Sequence, residues 1–231
     1  MQMHPLDNPV WSALTGPQHH LAQGNGPARR FPPEISLFGA FGDAPGPDDW
    51  EAMADVLGPG GTVITAGPTA QPPTGWTVGF SGDGVQMTGE GLADPSLRLP
   101  DRSEVVELGV ADVDDMLELV SLARPGPFTA RTWELGGYVG VRRDGRLVAM
   151  AGRRMHPEGW GEISAVATHP DHRRQGLAER LVRVVAAGIL SRGDTPVLHS
   201  AADNVGAIRL YGAMGLAVRR TIRFQAVQAP R

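Results

Sequence analysis

The stretch from residue 163 to residue 182 carries the residue types best suited to chemistry. Its sequence, ISAVATHPDHRRQGLAERLV, predicts a strand that ends at Thr168, a short loop, and a helix that begins near Gly176. Backbone N–H groups at a helix start lack intrahelical partners and lie at the positive end of the helix dipole, so they favour an anion. Arg173 and Arg174 add positive charge, and Gly176 leaves room for a phosphate. The pattern predicts a pyrophosphate site, although an ordinary strand-to-helix turn with exposed arginines fits the same residues.

The elements that must position this stretch follow from hydrophobic periodicity in the C-terminal part of the chain. Residues 104–227 predict the order β-α-β-β-β-α-β-α-β, with a hairpin over 138–155. Apolar residues at helical spacing predict the three helices, at 111–124, 174–193 and 204–215. The anion site therefore lies where the fourth strand of this part meets its second helix.

The first 100 residues differ in composition from the rest of the chain. They hold 14 of the 20 prolines and three arginines against ten acidic residues, whereas residues 101–231 hold 18 arginines against 15 acidic residues. We therefore predict a domain boundary near residue 100, within a proline-containing connector over 92–105. The elements predicted before it are a helix at 8–14, a helix within 47–61 that stops at Gly58-Pro59, strands at 33–41 and 62–67, and a hairpin over 75–90 around Ser81-Gly82-Asp83.

Composition excludes several classes of function. The chain of 231 residues is 41% apolar and 20% charged, which is enough to bury a core, and its net charge of −4 argues against a general nucleic-acid binder. It contains no cysteine, so disulfides, thiol nucleophiles and thiolate metal sites are excluded. No stretch approaches the ~18 apolar residues of a membrane span. We expect a cytoplasmic protein that binds neither membrane, nucleic acid nor metal.

Two motifs in the C-terminal part resemble those of the GNAT superfamily of N-acyltransferases. The acyl-CoA signature of that family is Gln or Arg, two residues of any type, Gly, one residue of any type, and Gly or Ala. Arg173, Gly176 and Ala178 match it. The second motif, about thirty residues later, is matched by Asn204, Ala207, Tyr211, Gly215 and Leu216. The resemblance covers residues from about 104 to 227.

The resemblance implies an α/β (α+β) fold class, with a mixed, mostly antiparallel sheet flanked by helices. It places a GNAT N-acyltransferase domain at 101–231, behind a divergent and smaller α/β region at 1–100. In some relatives that region is a degenerate GNAT-like unit. Residues 1–100 hold no second acyl-CoA signature, so we expect them not to bind CoA but to wall the pocket for the acceptor amine.

The resemblance also implies the co-substrate and the residues that hold it. Acetyl-CoA would be the acyl donor, without a metal. Main-chain groups of Val166, Ala167 and Thr168 would hold the pantetheine amides, and Asn204 would bond the pantetheine region. The pyrophosphate would lie against the amides of one continuous segment, Arg173, Arg174, Gln175, Gly176, Leu177, Ala178 and Glu179.

Tyr211 matches the family tyrosine beside the thioester sulfur. A thiol has a pKa near ~8.5 and a tyrosine near ~10, so a tyrosine at hydrogen-bond distance can protonate the departing sulfur. The alternative is a half-buried helix tyrosine that packs on the sheet. With no cysteine to form a covalent acyl-enzyme, we expect direct transfer in a ternary complex.

The attacking amine must lose a proton, and Glu162 is the natural acceptor, directly or through water. The alternatives for Glu162 are a solvent-facing carboxylate or an ion pair with Arg153 or Arg154. Glu134 and His199 are weaker candidates for the same role.

We therefore expect an N-acetyltransferase that acts on a primary amine: a small molecule, an amino acid or a peptide N-terminus. The loop over 124–137 is expected to line the acceptor side, with Phe128 and Trp133 either in contact with the acceptor or in the core. The alternative from another class is a catalytically idle acyl-CoA-binding sensor or assembly module. Both functions, the acetyltransferase and the idle module, are compatible with a homodimer.

Overall fold

The computed structural model describes residues 4–42, 44–67, 71–93 and 104–231. Within these ranges the strands are β1 (Ala28–Arg30), β2 (Gly39–Phe41), β3 (Thr62–Ala66), β4 (Thr77–Thr88), β5 (Val105–Leu108), β6 (Tyr138–Arg143), β7 (Arg146–Arg153), β8 (Trp160–Thr168), β9 (Thr195–Ala201) and β10 (Ala217–Gln228). The helices are α1 (Pro9–Thr15), α2 (Pro47–Leu57), α3 (Val113–Ala123), α4 (Leu177–Leu190) and α5 (Val205–Ala213). None of the helices in these ranges has the length and apolar content needed to cross a lipid bilayer.

Eight strands form one sheet in the order β3-β10-β4-β9-β8-β7-β6-β5, and β1 and β2 form a separate antiparallel pair. Within the large sheet every neighbouring pair is antiparallel except β8 and β9, which are parallel. This architecture confirms the predicted mixed, mostly antiparallel sheet flanked by helices. The order of elements predicted for residues 104–227 is also confirmed, with element ends displaced by a few residues.

Alternation along the strands places α3 and α4 on opposite faces of the sheet. Tyr138 and Met150 pack with α3, whereas their strand neighbours Val139 and Ala151 pack with α4. Successive side chains of a strand point to opposite faces, so this division follows from the sequence of β6 and β7. Each helix therefore buries its apolar stripe against its own side of the sheet.

The hairpin predicted over residues 75–90 is wrong. One continuous strand, β4, runs through Ser81-Gly82-Asp83 and pairs along its length with β10. The glycines serve packing instead of a turn, because neither Gly82 nor Gly84 has a positive φ. A Cβ on Gly82 would lie 2.7 Å from the ring of Phe80, and one on Gly84 would lie 2.6 Å from the ring of Phe224. The missing side chains let both rings lie against the strand.

The sheet crosses the predicted sequence boundary near residue 100. Strand β4, from the N-terminal part, lies between β9 and β10 of the C-terminal part, and β3 pairs with the other edge of β10. Most of the predicted connector at 92–105 lies outside the described residues. Any unit formed by residues 1–100 therefore shares its sheet with the C-terminal part. Helices α1 and α2 confirm the predictions there, while the strand predicted over 33–41 forms only at its end.

Candidate active site

A cleft opens where β8 and β9 separate. The two strands pair only from Trp160 to Ile163, after which β9 continues along β4 and β8 bends away. The bend coincides with an irregular register against β7 and with Ala165 at φ +51°, a conformation that costs an L-residue about 1–3 kcal/mol. Among the described residues, the edge of β8 that faces β9 therefore has no strand partner beyond Ile163, and a cleft of about 390 Å³ lies beside it.

Three of the predicted site residues, Val166, Asn204 and Tyr211, meet in this cleft. Asn204 caps α5, since its Oδ1 accepts from the Ala207 N–H at 3.2 Å, and its amide N–H₂ is left to donate. Tyr211 is 7% exposed, and burial raises its pKa to about 12. The phenol therefore stays protonated near neutral pH and is available as a hydrogen-bond donor.

The predicted anion site lies at the start of α4. The first backbone bond of that helix runs from Arg180 N–H to Gly176 O at 3.0 Å, so the amides of Leu177, Ala178 and Glu179 lack intrahelical partners. Gly176 has φ +75°, and a Cβ there would meet no atom within 4 Å, which leaves the front of these amides open. Arg174 also adopts a positive φ, of 62°.

Charge and shielding at this site fit a pyrophosphate. Within the described residues neither Arg173 nor Arg174 forms an ion pair, whereas Glu179, the acidic residue of the segment, is paired with Arg183 at 2.9 Å. The Oγ1 of Thr168, where β8 ends, is shielded from solvent and has no hydrogen-bond partner in the described part of the chain. Gln175 and the two arginines are exposed, so an anion reaches the amides directly from solvent.

Glu162 lies beneath the cleft and does not line it. The residue is 1% exposed, and its carboxylate accepts from Arg154 Nη2 at 2.6 Å, Arg154 Nε at 3.0 Å, His199 Nδ1 at 2.8 Å and the Met155 N–H at 3.1 Å. Burial alone would raise its pKa, but the charge of Arg154 and the hydrogen bonds from His199 and Arg154 lower the pKa to about 2. A carboxylate whose conjugate acid has so low a pKa is a weak base near neutral pH. The geometry gives no support to Glu162 as the base, and it shows the alternative pairing with Arg154.

His199 lines the cleft, but both of its ring nitrogens are engaged. Nδ1 donates to Glu162, and Nε2 lies 3.0 Å from the side-chain nitrogen of Gln86. The side-chain nitrogen of Gln86 also donates to Leu6 O at 2.9 Å, and the side-chain oxygen of Gln86 accepts from Arg219 at 2.9 Å. These two hydrogen bonds determine which end of the Gln86 amide is nitrogen and which is oxygen. Nε2 therefore accepts from Gln86, and a proton added there would face another donor. This arrangement disfavours His199 as a base.

Gln86 contacts the cleft through His199, and the sequence analysis did not single Gln86 out. It is fully buried on β4 and contacts the site because β4 lies beside β9, an arrangement that no local motif indicates. Glu134 lies outside the cleft lining and is held by Arg131 at 2.6 Å. In the predicted acceptor loop, Arg124 to Pro127 line the cleft, while Phe128 and Trp133 pack in the core with Tyr138.

Comparisons with known proteins identify the family and the fold. The family model described as FR47-like protein matches residues 138–224. The chain is similar to the crystal structure of a protein assigned to the GNAT family of acetyltransferases from Novosphingobium aromaticivorans, at 38% identity over 99% of this chain and 100% of that one, with a TM-score of 0.89.

Two more distant structures share the fold. They are a GCN5-related N-acetyltransferase from Kribbella flavida, 19% identical with a TM-score of 0.59 over 96% of this chain and 95% of that one, and a GCN5-related N-acetyltransferase-like protein from Streptococcus suis, 16% identical with a TM-score of 0.56 over 95% of this chain and 91% of that one. A search of curated protein sequences finds no match.

Proposed function

Because the chain belongs to the GNAT family of acetyltransferases, we propose that it transfers the acetyl group of acetyl-CoA to a primary amine, by direct attack in a ternary complex. The observation that carries this proposal is the cleft between β8 and β9. It joins an unpaired strand edge at Val166 to the hydroxyl-bearing Tyr211, and β8 leads on to the open amides at the start of α4.

Each part of the cleft suits one part of acetyl-CoA, which supplies the acetyl group as an activated thioester. On the unpaired edge of β8, the main-chain groups of Val166 and Thr168 would bond the pantetheine amides as a neighbouring strand does. The main-chain groups of Ala167, which the sequence analysis placed with them, face Met150 of β7, because His169 N–H bonds to Val148 O and successive residues alternate between the two edges. The amide of Asn204 would donate to the same arm. The segment Arg173, Arg174, Gln175, Gly176, Leu177, Ala178 and Glu179 would hold the pyrophosphate through backbone N–H groups and guanidinium charge.

Tyr211 assists departure of the sulfur as a hydrogen-bond donor. Its pKa of about 12 lies above the ~8.5 of a free thiol, so complete proton transfer to a thiolate would be uphill. A hydrogen bond to the sulfur still strengthens as negative charge develops there, and the low exposure of Tyr211 increases its effect. We therefore assign Tyr211 to stabilisation of the leaving group.

We infer that the ammonium gives its first proton to water and not to Glu162. The neutral amine then attacks the thioester carbonyl, the carbon–sulfur bond breaks, and the second proton leaves the nitrogen for the departing thiolate or for water. Among the described residues that line the cleft, Asp83 alone carries a carboxylate, and this carboxylate is paired with Arg223 at 3.0 Å. An ammonium in an apolar, desolvated site has a lowered pKa, which favours the neutral and nucleophilic amine. Glu162 then acts as a positioning residue, because it fixes both Arg154 and His199 at the wall of the cleft.

Replacing Tyr211 with phenylalanine tests this assignment. We expect Tyr211→Phe to keep the thermal stabilisation by acetyl-CoA and to lower kcat for amine-dependent thiol release by about 10²-fold. Because the pKa of Tyr211 is about 12, the wild-type rate should show no loss from tyrosine ionisation between about pH 9 and 11, where an ordinary tyrosine with a pKa of ~10 would ionise.

The other tyrosine of the chain provides the matched control. Tyr138 is also buried, and its hydroxyl has no partner among the described residues, but it does not line the cleft. Tyr138→Phe should therefore leave kcat unchanged. A full rate in Tyr211→Phe, or equal losses in the two variants, would remove Tyr211 from the chemistry.

A further inference from the structure

One wall of the cleft is built from phenylalanines that the acyl-CoA assignment does not use. Phe38, Phe80 and Phe224 line the cleft together with Ile64, and they come from the N-terminal part and from β10. The rings of Phe38 and Phe224 meet edge to face at 6.3 Å, and the ring of His199 meets Phe224 at 6.0 Å. This group, Phe38, Phe80, Phe224 and Ile64, is called the aromatic wall below.

The sequence of β4 shapes this wall. Gly82 and Gly84 carry no side chain beneath the rings of Phe80 and Phe224, and a Cβ at either position would lie within 2.7 Å of a ring carbon. The rings consequently approach the strand closely, and they border the cleft. Phe80 is nevertheless 57% exposed, which is a large apolar surface to leave in water beside a binding cleft.

The charges around the aromatic wall offer little to a polycationic acceptor. Arg154 lies over the ring of Phe38 at 4.5 Å and is neutralised by Glu162, and Asp83 is neutralised by Arg223. The remaining charged residue in the described lining is Arg124, a cation. Extra ammonium groups would therefore find no free carboxylate among the described lining residues, and they would meet the positive charge of Arg124.

We propose that the acceptor is a small primary amine carried on an apolar, ring-sized body that lies against the aromatic wall. This inference rests on the proposed function and names the substrate class of the same site. Burial of an apolar ring against Phe80 and Phe224 gives the acceptor its binding energy, and edge-to-face contacts orient it. The cleft of about 390 Å³ must also hold the acetyl end of the donor, which leaves room for a ring-sized group.

Steady-state kinetics of the wild type with three probes tests the class. The probes are 2-phenylethylamine, ethanolamine and spermidine, each with saturating acetyl-CoA. We expect kcat/KM for 2-phenylethylamine to exceed that for ethanolamine and for spermidine by at least about tenfold. Equal values, or a preference for spermidine, would overturn the inference while leaving amine acetylation intact. If the protein bound acetyl-CoA but acetylated neither these three amines nor any member of a wider amine panel, the proposed function itself would be overturned.

The variant Phe80→Ala tests the wall itself. We expect it to lower kcat/KM for 2-phenylethylamine about tenfold, mainly through KM of the amine, with KM of acetyl-CoA unchanged. Val78→Ala is the matched control, since Val78 lies two residues earlier on β4, is 44% exposed and does not line the cleft. Equal losses for 2-phenylethylamine and ethanolamine in Phe80→Ala, or equal effects of the two variants, would contradict the assignment.

Discussion

Replacing Glu162 with alanine should lower the free energy of unfolding by about 3–5 kcal/mol. The substitution leaves the buried guanidinium of Arg154 without its carboxylate, and it removes the acceptors of His199 Nδ1 and of the Met155 N–H. An uncompensated buried charge is far more costly than the loss of an exposed pair. Urea denaturation at pH 7 measures the difference directly.

A surface ion pair provides the control for that experiment. Glu118 lies 3.6 Å from Arg146, and both side chains are more than half exposed. Glu118→Ala should therefore cost no more than about 1 kcal/mol. If the two variants lost similar, small amounts of stability, the buried network would not have the energetic weight assigned to it.

The same network predicts a pH dependence. The pKa of Glu162 falls from 4.5 in the unfolded chain to about 2 in the folded protein, so its contribution to stability is complete above about pH 4.5. The contribution is lost as the pH falls through about 2. The stability difference between wild type and Glu162→Ala should therefore be constant from about pH 5 to 7 and shrink below about pH 4. A difference that grew on acidification would have the wrong sign.

Gly176→Glu should abolish binding of acetyl-CoA. A ligand at 100 times its Kd that binds only the folded state stabilises it by about 2.7 kcal/mol, and this stabilisation should disappear in the variant. The new side chain would occupy the open space in front of the amides of Leu177, Ala178 and Glu179, and its negative charge would repel the pyrophosphate. Thermal melting with and without acetyl-CoA measures the effect.

Two control variants separate the effect of a negative charge at position 176 from the effects of the same charge elsewhere on α4 and of backbone strain at position 176. Gly188→Glu adds the same charge on the same helix at an exposed position with no neighbour within 4 Å, and should keep the stabilisation. Gly176→Ala carries the strain of the positive φ without the charge, and should melt earlier yet still respond to acetyl-CoA. A Gly176→Glu protein that acetyl-CoA stabilises as strongly as wild type would contradict the pyrophosphate assignment.

The parts of the site that the sequence predicts are those encoded in contiguous segments. The position of the free amides at the start of α4 is set by the loop that directly precedes the helix. Asn204 is the N-cap of α5, and Tyr211 lies on the same short helix. The pairing of Glu162 with Arg154 was one of the alternatives open from the sequence. It follows from neighbouring positions on β8 and at the end of β7, where Arg154 N–H donates to Glu162 O at 3.1 Å.

The remaining features depend on strand β4, which no local signal places. The glycines Gly82 and Gly84 are typical of a turn in sequence. In the fold they leave room for aromatic rings, and one of these rings belongs to Phe224, on a strand distant in sequence. Insertion of β4 between β9 and β10 also brings Gln86 to His199 and Phe80 to the cleft. Hydrophobic periodicity specifies that a segment is a strand but not which strands it joins, so Gln86 and the aromatic wall appear only in the folded structure.

The most direct test of acetyl transfer by this protein is amine-dependent thiol release by the wild type, with the product identified by mass spectrometry. We expect release of CoA thiol that requires protein, acetyl-CoA and amine together, with one acetylated amine formed for each thiol. Stabilisation by acetyl-CoA without thiol release on any amine of a broad panel would contradict the account, and the chain would then be an idle acyl-CoA-binding module.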